Sequence, residues 1–288
     1  MKAQKIVHMK EDAPKVLLIE DLAGYGKISL AAMIPIMSHM GFNIYNLPTA
    51  LVSNTLDYGK FDILETTGYM KNTLKVWKEL GFTFDAICTG MIFSEEQVKL
   101  VAEYCLEQKE RGVSIYTDPV MGDDGVLYNG VSEKTIGYMR KICSVADVIM
   151  PNFTEATFLA DMYTGEETVT AGQAREIVDA LRKLGSRSVI VTSIDIEGQT
   201  CVYGYDYGRE EYFTIPFDYV PVHFPGTGDI FSALLVGSLL RGRDLQKSTK
   251  YAMDTVRELI LRNTDNADKY KGIPIEKYLQ EITENLQR

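Results

Sequence analysis

The chain contains few residues of the kinds that build metal clusters or disulfide frameworks. Its 288 residues include four cysteines, three histidines and one tryptophan. The cysteines lie far apart and form no C-x-x-C pair, so they predict reduced thiols of a cytosolic protein and neither a disulfide framework nor a zinc site. Three scattered histidines are too few for a zinc cluster.

The sequence also lacks long apolar runs and an excess of positive charge. Its apolar stretches are far shorter than the roughly 20 residues of a membrane-spanning helix, and residues 1–15 hold no apolar segment typical of a secretory signal. Thirty Lys and Arg residues stand against 40 Asp and Glu, a net charge of −10. This balance argues against nucleic-acid and anionic-membrane partners. We expect a cytoplasmic protein that binds a small molecule.

Two common phosphate-binding motifs are absent. There is no Walker A sequence, G-x-x-x-x-G-K-[ST], and no G-x-G-x-x-G after the first predicted strand. A phosphate site in this chain must therefore differ from a P-loop and from a dinucleotide-binding fold. A NAD-dependent dehydrogenase is the least favoured class of enzyme.

Short apolar runs alternate with amphipathic segments along the chain. We predict strands at Lys15–Glu20 and Asn43–Leu47, with Pro48 ending the second, and a loop or small hairpin over 49–61. Two tyrosine-rich runs within 199–215 predict an antiparallel hairpin at a sheet edge. Repeated β–α units predict an α/β fold with a mostly parallel central sheet and helices on both faces. We expect one domain over 1–288, with 1–14 as a loose N-terminal extension.

Ligands of such sheets bind at the carboxyl ends of the strands. That rule selects the loops that follow the predicted strands, and most of the polar, acidic and glycine-rich loops of the chain are among them. They are 21–26, 89–91, 118–128, 151–155, 192–195 and 225–229.

The segment FPGTGDIFSALL at 224–235 carries the sharpest signal. Gly226 and Gly228 permit a tight turn and a close approach of the backbone to a ligand. The apolar run after them predicts a buried helix, whose amino end favours an anion and a developing negative charge. Asp229 lies in the same turn, where its carboxylate could accept a proton from an attacking hydroxyl. The alternative is that Asp229 only caps the helix.

A second group of residues is acidic. Asp118, Asp123 and Asp124 share one loop, and Glu155 follows at the next strand–helix junction. Mg²⁺ is held by one or two carboxylates together with waters and nucleotide phosphates. Ordinary turn and helix-dipole chemistry explains each residue alone, but the set on one rim favours a cation site.

The motifs GTGD, DPVMGD, PN-x-x-E, VTS, TALVSNT and DLAGYG resemble those of the pyridoxal kinases, which belong to the ribokinase-like superfamily. They begin at positions 226, 118, 151, 191, 49 and 21, and the resemblance runs from about Lys15 to Leu261. GTGD marks the superfamily. The S-N-T segment, DPVMGD and the following Tyr128 point to the vitamin B6 kinases and their hydroxymethylpyrimidine kinase relatives.

The resemblance implies a role for each matching position. It makes Asp229 the base that deprotonates the primary hydroxyl of the substrate for attack on the γ-phosphate of ATP. It assigns the anion hole to Gly226, Thr227 and Gly228, and the nucleotide phosphates to Asn152, Thr192 and Ser193. It implies that Mg²⁺, its waters and a monovalent cation such as K⁺ are held by Asp118, Asp123 and Glu155. The substrate contacts that it implies are Asp21, Val52, Ser53, Asn54 and Tyr128. It makes Thr49–Thr55 a flap over the substrate ring, with Ser53 and Asn54 shaping its turn.

Some positions depart from the family pattern. Asp21 stands where pyridoxal kinases usually have Ser, Met91 replaces a tyrosine, and Leu51 and Val52 replace a Gln and an aromatic residue of the flap. One hypothesis is that Asp21 favours pyridoxamine, because a carboxylate pairs with an ammonium group and not with an aldehyde. The alternative is that Asp21 only caps the following helix.

The expected function is therefore ATP- and Mg²⁺-dependent phosphorylation of pyridoxamine or pyridoxal in pyridoxal phosphate salvage. A hydroxymethylpyrimidine kinase of thiamine synthesis has the same catalytic parts and stays open. A third possibility is a non-catalytic vitamin- or sugar-binding regulator on the same fold. The resemblance further implies a homodimer, because the family commonly forms one.

Overall fold

The computed structural model describes residues 13–287 and is built around one nine-stranded sheet with the order β11-β10-β9-β8-β5-β4-β1-β2-β3. The strands, including a separate two-stranded pair β6–β7, are β1 Lys15–Ala23, β2 Asn43–Val52, β3 Ile63–Glu65, β4 Ala86–Thr89, β5 Ser114–Thr117, β6 Gly122–Asp123, β7 Val126–Leu127, β8 Val148–Ile149, β9 Ser188–Ile196, β10 Gln199–Asp206 and β11 Glu211–Pro216.

Helices cover both faces of this sheet, and each face has its own apolar core. Helices α2 to α6 pack on one core, and α1, α7, α8 and α9 pack on the other. Their bounds are α1 Ser29–His39, α2 Thr67–Glu79, α3 Glu95–Lys109, α4 Lys134–Cys143, α5 Phe153–Ala160, α6 Ala171–Lys183, α7 Thr227–Leu240, α8 Leu245–Leu261 and α9 Leu279–Gln287.

The pairing confirms the predicted fold class. The six strands from β2 to β9 in the middle of the sheet are parallel, and β10–β11 is the antiparallel edge hairpin expected over 199–215. At the opposite edge β3 pairs antiparallel with the end of β2, so the segment over 49–61 contains the turn of a second hairpin.

The prediction that Pro48 ends the second strand is wrong. β2 continues to Val52, and Pro48 pairs in register with Glu20 of β1. The neighbouring β3 reaches only Ala50–Val52, so β2 has an open side at Pro48. A strand tolerates the missing N–H of proline at such an edge.

β1 also runs further than expected, because it passes Glu20 and reaches Ala23 after a register shift against β2. The long strand β9 extends to Ile196, and its second half pairs with β10. The loose extension predicted over 1–14 falls mostly outside the described residues, and a single domain stays a prediction. Within residues 13–287 no helix is long and apolar enough to cross a membrane.

Candidate active site

The loops at the carboxyl ends of the parallel strands surround a cavity of about 900 Å³. All but two of the residues that the sequence places in the site line this cavity. The lining ones are Asp21, Val52, Asp118, Asp123, Tyr128, Asn152, Glu155, Thr192, Ser193, Gly226, Thr227, Gly228 and Asp229. Ser53 and Asn54 are not among the lining residues.

Helix α7 begins at the floor of the cavity. Gly226 precedes it with φ of +84°, and a Cβ atom there would lie 2.0 Å from the carbonyl oxygen of Lys27. Only glycine combines this left-handed backbone with so close a neighbour. The helix behind it is buried from Asp229 to Ser238, so its free N–H groups face the cavity with the positive end of the helix dipole.

Asp229 lies in the first turn of α7 and is 7% exposed. Its Oδ2 accepts a hydrogen bond of 2.7 Å from the backbone N–H of Ser29, the first residue of α1. The alternative that Asp229 caps its own helix is wrong, since α7 has no side-chain cap. Burial, followed by the charge of Asp118, raises the pKa of Asp229 to about 8.

Ser29 joins Asp229 to Asp21, and sequence reasoning missed it. The Ser29 hydroxyl donates to Asp21 Oδ1 at 2.8 Å, while Ser29 itself has φ of +48°. Asp21 therefore bonds a side-chain hydroxyl of α1, whereas the backbone N–H of the same serine donates to Asp229. Burial raises the pKa of Asp21 to about 6. A strained non-glycine backbone of this kind cannot be seen in a sequence.

A further carboxyl, Glu20, was also missed. It is 3% exposed and lies beside Asp229, with which it shares a side-chain hydrogen bond. A signal was present, because Glu20 follows the apolar run KVLLI in a strand buried on both faces. A charged residue in such a strand is rare unless it is paired.

The acidic loop and helix α5 meet at Glu155. Its Oε1 accepts from the N–H of Met121 and its Oε2 from the N–H of Asn152, at 3.0 and 2.9 Å. Burial, together with the charge of Asp118, holds the pKa of Glu155 well above its usual range. Asp118 accepts at 2.8 Å from the hydroxyl of Ser232 on α7.

No three acidic, histidine or cysteine side chains within residues 13–287 are arranged to hold a metal ion by themselves. At least one carboxylate oxygen of each proposed ligand, Asp118, Asp123 and Glu155, already accepts a hydrogen bond from the protein. This set nevertheless suits Mg²⁺, which usually keeps several waters and takes only one or two carboxylates besides nucleotide phosphates.

Asn152, Thr192 and Ser193 lie on the adjoining strand ends. Asn152 caps α5 in a capping box with Glu155 and donates from Nδ2 to the carbonyl of Gly122 at 2.8 Å. Thr192 and Asn152 form an isolated parallel β-bridge. Ser193 follows with φ of +55°, which turns the chain toward the cavity wall.

The flap consists of the end of β2 from Thr49 onward and of the turn over 53–62 that joins β2 to β3. Ser53 Oγ donates to Asn54 Oδ1 at 2.7 Å and accepts from the N–H of Asp62 at 2.9 Å, so these polar groups shape the turn itself. Val52 faces the cavity, whereas Leu51 is 43% exposed. On the opposite wall Tyr128 keeps its proton, because burial and the charge of Glu155 hold its pKa well above its usual range.

The cavity is strongly acidic. Among its described lining residues only Arg257 and His223 are basic, and each already pairs with a lining carboxylate, Asp218 or Asp57. Negative charge that no protein cation offsets must be balanced by bound cations or protons. A nucleotide, which is itself an anion, therefore needs such a cation or proton when it enters the site.

A mostly parallel sheet whose carboxyl-end loops bring a helix amino end, a buried carboxylate and an acidic rim into one cavity defines a small-molecule kinase of the ribokinase-like class. The sequence model of the phosphomethylpyrimidine kinase family matches residues 33–273, and the chain belongs to this family. It is an ATP-dependent small-molecule kinase, which confirms the resemblance found in the sequence.

Three relatives illustrate the similarity. The pyridoxal kinase of Arabidopsis thaliana is 26% identical over 268 residues, which are 90% of this chain and 85% of the relative. A solved structure from Bacteroides thetaiotaomicron, of a crystal form with pyridoxal, is 34% identical with a TM-score of 0.89 and covers 94% and 96% of the two chains. The pyridoxal kinase of Lactobacillus plantarum is 27% identical with a TM-score of 0.82 and covers 93% and 96%.

Proposed function

We propose that this protein phosphorylates the primary hydroxyl of a vitamin B6 vitamer, pyridoxamine or pyridoxal, with ATP and Mg²⁺ in pyridoxal phosphate salvage. The observation that carries the proposal is the position of the Asp229 carboxylate, which is buried at the amino end of α7 and lines the same cavity as the acidic rim. Relatives named pyridoxal kinase over most of the chain support the choice of vitamer class.

Asp229 acts as the general base. It takes the hydroxyl proton as the substrate oxygen bonds to the γ-phosphorus, and the bond from that phosphorus to the bridging oxygen breaks to release ADP. A pKa of about 8 suits a base that works near neutral pH. The N–H groups at Gly226, Thr227 and Gly228 stabilise the charge that develops on the transferred group.

The acidic rim of Asp118, Asp123 and Glu155 would hold Mg²⁺ through waters and nucleotide phosphates. When bound, the ion neutralises phosphate charge as the bond to the leaving group breaks. Glu155→Gln is expected to raise the Mg²⁺ concentration needed for half-maximal rate, and an unchanged titration would contradict its role. Oxygen ligands of this rim also suit K⁺, which an assay with and without K⁺ tests.

Asn152, Thr192 and Ser193 would contact the nucleotide phosphates from the neighbouring strand ends, opposite the amino end of α7. Val52 would pack on the substrate ring from the flap, and Tyr128 would close the site from the other wall. Ser53 and Asn54 would act indirectly, because their hydrogen bonds keep the flap turn in shape.

Asp21 is the proposed selector of the vitamer. Its carboxylate lines the cavity, is 2% exposed and has the Ser29 hydroxyl as its side-chain donor. An ammonium group of the substrate would offset this buried charge, so pyridoxamine is favoured over pyridoxal. The kcat/KM ratio of pyridoxamine to pyridoxal should fall in Asp21→Ser, and an unchanged ratio would contradict the selection.

A second candidate is hydroxymethylpyrimidine phosphorylation, which the description of the matched family favours. One assay separates the two. ATP and Mg²⁺ are offered with pyridoxal, pyridoxamine, pyridoxine or hydroxymethylpyrimidine, and Asp229→Asn serves as the inactive control. Turnover of a B6 vitamer supports the proposal, whereas turnover of the pyrimidine alone moves the protein to thiamine synthesis.

We also propose that the protein forms a homodimer, as the resemblance to the family implies. Light scattering during gel filtration measures the mass of the particle and tests this.

A further inference from the structure

Glu20 is a buried carboxyl for which the proposed reaction has not yet assigned a role. It is 3% exposed and lies where β1 shifts register against β2, between Glu20 and Leu22. Every residue of β1 from Val16 to Asp21 is buried, because the sheet is covered on both faces, so the consecutive residues Glu20 and Asp21 are both buried.

The Glu20 carboxyl occupies a space that glycine leaves open. A Cβ atom on Gly90 would lie 1.8 Å from Glu20 Oε1 and 2.4 Å from its Cδ. Gly90 is itself fixed by its N–H, which donates to the carbonyl of Ile19 at 3.0 Å. The glutamate is thus seated against the backbone, with little freedom to turn away from Asp229.

Among the described residues, the titratable groups that face Glu20 are acidic or neutral. Asp21 faces it from its own strand, Asp118 from the end of β5, Asp229 from α7 and the Cys88 thiol from β4. Burial and these charges raise the pKa of Glu20 well above its usual range. In the described part of the chain, the hydrogen-bond partner of Glu20 is the Asp229 carboxyl.

Two carboxyls in contact and away from water cannot both be ionised, so they share a proton. Asp229 has the backbone N–H of Ser29 as a fixed donor to its anionic form, whereas no backbone N–H within residues 13–287 donates to Glu20. A fixed donor favours the charged form of the carboxyl that accepts it. The proton of the singly ionised pair therefore belongs to Glu20.

We propose that Glu20 is a positioning residue that keeps its proton and donates a hydrogen bond to Asp229, holding that carboxylate in its ionised form for the substrate hydroxyl. This inference rests on the proposed function of Asp229 as the base. The substrate proton passes to Asp229, and Glu20 retains its own proton throughout, so no net transfer to Glu20 occurs.

The first test compares Glu20→Gln, which keeps an N–H donor of the same length, with Glu20→Leu, which keeps the bulk and loses the donor. Loss of a hydrogen bond to a charged group should lower kcat roughly 10- to 100-fold in Glu20→Leu. It should also move the acidic limb of its pH–rate profile to higher pH. Glu20→Gln should stay within a few-fold of wild type and keep the position of that limb. Equal profiles in Glu20→Leu and wild type, or equal losses in both variants, would overturn the role.

A second measurement does not depend on turnover. In wild-type protein with ¹³C at the glutamate Cδ atoms, one resonance absent from Glu20→Gln should report a protonated carboxyl at neutral pH. Its titration should move to lower pH in Asp229→Asn, which removes the coupled charge. A Glu20 resonance that is ionised at neutral pH overturns the inference. If instead the wild type phosphorylates none of the four substrates, the proposed function fails while this resonance still decides the state of Glu20.

Discussion

His223 Nε2 lies 3.2 Å from Asp57 Oδ1 and thereby joins the loop before α7 to the flap. Asp57 raises the pKa of His223, and half of the imidazole is exposed. Because the pKa is raised in the folded state, the pair stabilises the protein fully below the unfolded pKa of histidine. That stability is lost as the pH rises through the folded pKa.

We therefore expect His223→Ala to loosen the flap in a pH-dependent way. Amide hydrogen exchange in 53–62 should be faster than in wild type at low pH, where the histidine is charged, and the difference should shrink as the pH rises. Asp57→Asn should behave in the same way. A difference that is constant with pH would mean that the ion pair does not hold the flap.

Replacing Asp229, the proposed base, should abolish most of the catalysis. Asp229→Asn keeps the shape of the side chain but cannot take the substrate proton, so kcat should fall by about 10²–10⁴ with a smaller change in KM. Asp206→Asn is the matched control, since Asp206 is 5% exposed but caps the β10–β11 turn away from the cavity. If Asp229→Asn were within a few-fold of wild type, Asp229 would not be the base.

The pH dependence of the reaction rate should follow the ionisation of Asp229. Asp229 must be ionised to accept a proton and has a pKa of about 8, so kcat/KM should fall as the pH drops below that value. A divalent cation bound beside Asp229 favours its ionised form. The acidic limb of kcat, which reports the bound enzyme, should therefore lie at lower pH than that of kcat/KM. Coincident limbs would contradict this coupling.

Binding of Mg²⁺ and ATP should release protons. Asp118, Glu155 and Asp229 all have raised pKa values in the metal-free protein, and a divalent cation would favour their charged forms. Calorimetry in buffers of different ionisation enthalpy measures the number released. Asp229→Asn should release fewer protons than wild type; equal release would exclude Asp229 as a source.

Gly226 should tolerate no side chain. Gly226→Ala meets both the left-handed backbone and the Lys27 carbonyl, whereas Gly242 has φ of +85° and no other atom within 4 Å of an added Cβ. We expect Gly242→Ala to cost about 1–2 kcal/mol of unfolding free energy, the cost of the backbone conformation alone. Gly226→Ala should cost more and also lower kcat. If denaturant titrations gave equal losses of unfolding free energy for the two variants, the Lys27 carbonyl would be able to move away from the added Cβ atom without a measurable cost.

Much of the fold and of the cavity lining could be predicted from the sequence, because the signals are local. The glycine turn before an apolar helix and the acidic loop after a strand each lie within a few residues of one another. Packing brings the remaining partners together. Ser29 and Asp229 are 200 residues apart, and no local pattern predicts that Asp229 accepts a hydrogen bond from the first N–H of another helix.

The error at Pro48 has the same origin. Proline is a local stop signal for a strand, but its cost depends on whether a neighbouring strand needs the missing N–H, which is a property of the sheet. Glu20 differs, since its unusual position in an apolar strand was visible in the sequence. Only its partner, Asp229, required the structure.

The bonds of Ser29 to both Asp21 and Asp229 have an evolutionary consequence. One residue supports the carboxylate proposed to select the vitamer and the carboxylate proposed to accept its proton. Substitutions at position 21 will therefore show epistasis with substitutions at 29 and 229. A library that selects for a new vitamer through Asp21 alone will change turnover as well, and compensating changes will concentrate at Ser29.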